Sequence, residues 1–326
     1  MKQNLLSLVV PLMLGALLQT AAQAAPSLIA GKPIPLPGTS GRFDFIRMDP
    51  SSERLLLGHA GNHSFDVFDI KSGKLLKSFT GYDAADAGSD AVRGFYYASC
   101  SDPARLLMVD SSKLEVAGEV PLPANSDLMG VNPVTGMVHV CDDAAPNQWV
   151  IDPSTKKIDH TIKFEGSGME DVAFSADGKL VYQAIKGTGS IAVYDIESQK
   201  VTATWSTGVK GPWGMAMLSD QNTLLAACAG KLLMVDCATG KVVASAPIAE
   251  RVDEIAYDAG LHRAYCSSRT GKISLVSVEP AKLTALGDVA SQSGCANAVV
   301  DPKTHNVWIA YGNESGAFVQ PFTQAN

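Results

Sequence analysis

The chain is 326 residues long and 46% hydrophobic, enough for a large core, and its formal net charge is −7. That acidity argues against nucleic acid and against an anionic membrane surface as partners. No long charge run or low-complexity tail is present.

Taken from the N-terminus, the first residues read as a secretory signal. Lys2 gives a short positive region, Leu5 to Leu18 is apolar but broken by Pro11 and Gly15, and Ala22-Gln23-Ala24 supplies a small-residue cleavage pattern. The apolar stretch is too short, and interrupted by proline, to be kept as a membrane helix. A signal peptide over 1–24 and a single domain over 25–326 are therefore expected, in a chain that is periplasmic or secreted, monomeric and not inserted in a membrane.

Short apolar stretches then alternate with turn residues. First strands are expected at Asp44–Met48, Asp83–Gly88 (degenerate), Asp127–Val131, Glu170–Phe174, Trp213–Met217, Asp253–Tyr257 and Ala296–Val300. The fourth unit is the clearest. Asp171-Val172-Ala173-Phe174 leads to a turn at Ser175 to Gly178, followed by strands at Lys179–Ala184, Ser190–Tyr194 and Lys200–Trp205. An aspartate closes the third strand of successive units at Asp69, Asp110, Asp152, Asp195 and Asp236, in steps of 41, 42, 43 and 41 residues. Its carboxylate suits the acceptance of backbone N–H bonds in the turn that follows, a structural and not a catalytic task.

Four antiparallel strands per ~42 residues, repeated seven times, predict an all-β, seven-bladed β-propeller. The last blade runs out of chain near Phe322, and Ser27–Ile34 is expected to supply its missing outer strand, with Pro33 and Pro35 tolerated on that edge. Gly81 to Ala91 reads as too polar and short for a normal inner strand, which leaves blade two in doubt.

Gly-His and Trp-Asp pairs and kelch glycine doublets are absent. The segments Val172-Ala173-Phe174-Ser175-Ala176-Asp177-Gly178-Lys179-Leu180-Val181-Tyr182 and Ile191-Ala192-Val193-Tyr194-Asp195 instead resemble the YVTN repeat of the YncE-like family of exported seven-bladed propellers. The resemblance covers essentially all of 25–326 and implies a binding or accessory module. Such repeats often carry Pro-His-Gly near the start of the inner strand. Here only Pro212-Trp213-Gly214 keeps that shape, and acids stand in other blades.

Aligned on the turn after the inner strand, one column reads Asp44, Asp83, Asp127, Glu170, Trp213, Asp253 and Ala296; the next adds Asp171, Glu254 and Asn297. A carboxylate ring at the channel mouth would favour cations or a basic partner, and the expected ligand is a cation, a small molecule or a basic protein segment. An oxygen-only ligand set suits a divalent cation such as calcium, and crowding should raise the carboxyl pKa values. The bland alternative pairs these acids with Arg42, Arg47 or Arg251.

Six cysteines, Cys100, Cys141, Cys228, Cys237, Cys266 and Cys295, are compatible with disulfides in an exported chain. They fit equally well as buried, alanine-like residues. Cys266–Cys295 is a candidate bridge, Cys228 and Cys237 look offset, and His59 and His63 with these thiols form a remote soft-metal candidate. No nucleophile elbow, phosphate loop, dinucleotide fingerprint or His-Glu-x-x-His is present. The leading expectation is thus a non-catalytic binding propeller. The alternatives are a metal-dependent, lactonase-like propeller hydrolase and an accessory subunit of a periplasmic redox enzyme.

Overall fold

The computed structural model describes residues 28–49 and 51–325. The expected signal peptide, and Ser27 of the expected closing strand, lie outside the described residues. Seven antiparallel sheets follow one another around a ring. Their inner strands are Ile46–Asp49, Ala84–Asp90, Ser126–Val131, Met169–Phe174, Met215–Leu218, Val252–Asp258 and Val299–Val300. Six sheets run outward in chain order, as in blade four, where Leu180–Ile185, Ser190–Asp195 and Lys200–Ser206 follow the inner strand. The seven-bladed propeller is the fold. Among the described residues no helix is long and apolar enough to cross a membrane.

The ring closes as the sequence requires. Leu28–Ala30 pairs antiparallel with the last strand, Gly316–Gln324, with Ala30 opposite Phe322, and Ile34–Pro35 pairs further along the same strand. Residues 28–30 and 34–35 thereby cover the outer edge of blade seven.

Seven apolar clusters among the described residues form the core, one between each pair of neighbouring blades. The second and third strands are buried on both faces, so successive side chains serve opposite junctions. In blade one, Leu55 and Leu57 pack against blade seven, while Leu56 packs against blade two. Outer strands such as Lys74–Thr80 alternate toward solvent. The repeated aspartates behave as their spacing implies: each accepts a backbone N–H from its own turn, as from Ser72 to Asp69 (2.6 Å), Ser154 to Asp152 (2.8 Å) and Thr239 to Asp236 (2.7 Å).

Two expectations are corrected. Blade two has an inner strand, Ala84–Asp90, paired with Phe95–Cys100 through the segment that looked too polar, with one register shift between Ala84 and Asp86. Its small residues suit the crowded axis: a Cβ on Gly88 would lie 2.8 Å from Val131 of blade three. The cysteines are all free and buried, so neither Cys266–Cys295 nor Cys228–Cys237 is a bridge. Burial pushes the Cys266 and Cys295 thiols up to about 12, far from the reactive thiolate range.

At mid-height the channel is crossed by one arginine. Arg47 of blade one bonds to Asp86 of blade two (2.9 Å) and to Glu254 of blade six, and stands 3.7 Å from Asp171 of blade four. Each carboxylate also accepts a backbone N–H from the next blade: Asp86 from Met129 (3.1 Å), Asp171 from Met215 (2.9 Å) and Glu254 from Ala298 (3.1 Å). Burial, opposed by Arg47, pushes Asp171 up to about 6 and Glu254 up to about 8, and raises Asp86.

Replacing Arg47 by methionine leaves three buried carboxylates without their cation. Denaturant unfolding at pH 7.5 should show a loss of about 3–5 kcal/mol, the range for breaking a buried pair. Arg42→Met, at an exposed pair with Asp44, should change stability by less than about 1 kcal/mol. Equal small effects for both variants would show that the Arg47 cluster does not hold the ring.

Candidate functional site

A cavity of about 810 Å³ opens at the mouth that carries the starts of the inner strands. Two registers of the repeat line it. Counting back five residues from the position that opens the first turn (Asp49, Asp90, Asn132, Ser175, Leu218, Asp258) gives Asp44, Ala85, Asp127, Glu170, Trp213 and Asp253, and all six are in the wall. The residue that follows each second strand gives the other register: Ala60, Ser101, Asp143, Lys186, Ala229 and Arg269, again all in the wall.

The sequence-predicted site residues therefore divide. Asp44, Asp127, Glu170, Trp213 and Asp253 meet at the cavity, as expected. The position expected at Asp83 is occupied by Ala85; Asp83 lies two residues outside the register and bonds to His63. Asp171 and Glu254 lie one layer below, in the cluster around Arg47. Asn297 is consumed in linking blades, donating to the carbonyls of Asp44 (3.1 Å) and Ala310 (3.0 Å) and accepting from the Ala310 N–H (2.8 Å). Blade five contributes no carboxylate to this lower layer because it has Gly214 there. A Cβ on Gly214 would come within 2.4 Å of the Asp253 carbonyl oxygen.

The mouth is not a uniform acidic ring. Residues at i and i+16 face each other across the two registers, and in blades four and six they form acid–base pairs. Lys186 pairs with Glu170, and Arg269 pairs with Asp253 at 2.5 Å while standing 3.9 Å from Asp44. Arg42 bonds to Asp44 at 2.8 Å. In blade three the i+16 partner of Asp127 is another acid, Asp143. The Asp127 carboxylate consequently has neither an ion pair nor a hydrogen-bond donor among the described residues, although it is largely enclosed. Burial, with Asp44, Glu170 and Asp143 nearby, pushes it up to about 8. Burial also raises Glu170 to about 7 despite Lys186.

Sequence reasoning missed Asp86, the basic residues Lys186, Lys210 and Arg269, and Asp143. Applying the repeat alignment to the second strand ends would have found Asp143, Lys186 and Arg269. Asp44, Glu170 and Asp253 are each tied to a cation, and among the described residues no three His, Cys, Asp or Glu side chains converge as metal ligands. The soft-metal candidate dissolves likewise, since His59 is buried against Asp66 (2.7 Å) and His63 bonds to Asp83.

Protonation of these carboxyls links stability to pH. The folded values of about 6 for Asp171, 7 for Glu170 and 8 for Asp127 and Glu254 all exceed the ordinary value near 4 of an unfolded chain. The folded state then binds more protons between about pH 4 and 8, so stability falls as pH rises through that window and levels off above it. Thermal unfolding followed by circular dichroism should give a higher midpoint at pH 5.5 than at pH 8.5. Asp127→Asn should flatten the slope in the upper half of the window. A midpoint that rises with pH over this range would contradict the assignment.

No protein-family model and no curated protein matches the chain. Among solved structures, a chain of the crystal structure of the mitotic checkpoint complex is similar over 98% of both chains, with a TM-score of 0.77 and 11% identity. At that identity the likeness is one of fold.

Proposed function

We propose that this protein is an exported, periplasmic or secreted, non-catalytic binding propeller that holds a cationic group in its mouth cavity. The group belongs to a small molecule or to a basic segment of a protein partner. The observation that carries this reading is the Asp127–Asp143 pair of blade three, which stands where blades four and six place acid–base pairs. An enclosed carboxylate without a partner is costly in the free protein and is relieved by an incoming ammonium or guanidinium, which supplies the charge that the repeat omits. Trp213, half-buried in the wall at blade five, offers an aromatic face to the same ligand.

The resemblance of the repeats to the YncE-like propellers supports a binding or accessory role. The structural neighbour belongs, by its title, to a multiprotein complex, which is compatible with a propeller that docks a partner.

Calorimetric titration with the tripeptide amide Arg-Gly-Gly-NH2 tests the reading. Wild-type protein should bind at pH 8.5, and Asp127→Asn should weaken binding by at least about tenfold, as loss of a charged partner predicts. Because the cation meets the ionised carboxylate, affinity should fall as pH drops through about 8, and this dependence should vanish in Asp127→Asn. Equal binding by wild type and variant would remove Asp127 from the site.

A further inference from the structure

A second cavity, of about 530 Å³, adjoins the first and shares Lys186, Lys210 and Trp213 with it. It is walled by residues 186–189 and 206–211, two glycine-rich loops that leave their backbone open. Although the chain as a whole is acidic, this cleft has two lysines and no carboxylate in its wall; both lysines also border the larger cavity, where the acids of the mouth stand with Arg42, Arg251 and Arg269. Lys186 is tied to Glu170, but Lys210 has no ion pair or hydrogen-bonding partner among the described residues. The indole of Trp213 stands at the boundary and is held there by Gly211, where a Cβ would lie 2.8 Å from the ring. Gly211 also has φ +105°, a conformation that only glycine adopts without strain.

We infer that the cleft is an anion subsite and that the ligand is a zwitterion, with its cationic group on Asp127 and a carboxylate on Lys210, its middle passing over Trp213. This rests on the cation-binding reading of the mouth and adds the ligand class to it. The cleft's lack of any carboxylate, beside a mouth that holds the unpaired Asp127, carries the argument. A purely cationic ligand would be repelled from a cleft lined by lysines, and a purely anionic one from Asp127 and Asp143. One molecule with both charges gives a partner to each of the two unpaired groups, Asp127 and Lys210. The Lys210 ammonium, a compact charge on a flexible stem, can reach a carboxylate placed at different distances from the cation, so the cleft selects for the charge more than for one chain length.

A matched pair of probes separates the two claims: the tripeptide Arg-Gly-Gly as its free acid and as its amide. They differ only in the terminal carboxylate. With wild-type protein the free acid should bind roughly tenfold more tightly than the amide, the range of one added charge-assisted contact. Lys210→Gln should abolish that difference, while Asp127→Asn should weaken both. If acid and amide bind wild type equally and both depend on Asp127, the anion subsite is wrong and the cationic reading stands. If neither binds at millimolar concentration, both are overturned.

Discussion

The ring depends on one buried charge arrangement, the guanidinium of Arg47 facing three carboxylates. Carboxylates on the inner strands of blades two, four and six each take an N–H from the inner strand of blades three, five and seven. Seven is odd, so this pairing leaves one blade over, and the blade left over is the one that supplies Arg47. A single side chain thus ties the unpaired blade to three pairs. Taken with all groups ionised, the cluster has one positive and three negative charges, which a low-dielectric channel does not tolerate. Proton uptake by Glu254 and its neighbours relieves the excess. Buried ion clusters are weak contributors to net stability, but they are exacting about geometry. Here the geometry fixed is the height of each inner strand against the next, on which the wall of the mouth in turn depends.

With the lower layer satisfied internally, uncompensated charge remains only nearer the mouth. The i, i+16 relation across the two wall registers gives this a structural rule: an acid at the start of an inner strand meets whatever follows the second strand of its own blade. Where that is Lys186 or Arg269 the acid is neutralised, and where it is Asp143 it is not. Blade five breaks the rule differently, with Trp213 and Ala229, and thereby opens space between the mouth and the lysine-lined cleft.

Much of this was legible in the sequence. The aspartate period and the alternating strands led to seven blades, their inner strands and the closing N-terminal strand, because each repeats a local turn chemistry that needs no tertiary information. Blade two was misread because Ala84, Ala85, Ala87 and Gly88 look like a loop. They are small because the axis is crowded, a constraint that exists only once neighbouring blades are in place. The same error shifted the register from Ala85 to Asp83. The acids of the mouth were found, but not their neutralisation, since Lys186 and Arg269 stand on a different strand and meet the acids only across the blade. Asp171 and Glu254 were placed on the rim for a related reason. One residue further along an inner strand turns a side chain from the open cavity into the space between blades, and composition alone does not separate the two.

A repeat fold makes structural residues regular and functional residues irregular, and this propeller shows how far that distinction extends. Its most regular residue, the turn aspartate, is half-buried and holds a local turn in blade after blade. Its least regular positions are Arg47, the Asp127–Asp143 pair and Trp213. Of these, Arg47 is irregular for the sake of closure: it is bonded on every side, and its departure from the pattern is what an odd ring requires. Asp127 and Trp213 have no such internal explanation, since neither completes a contact that the fold needs. A largely enclosed carboxylate whose pKa is raised by burial and by the acids around it is a liability to the folded chain, retained at a place where an outside cation can reach it. Irregularity that the architecture does not consume is where recognition is to be sought, and in this chain it converges on a single mouth.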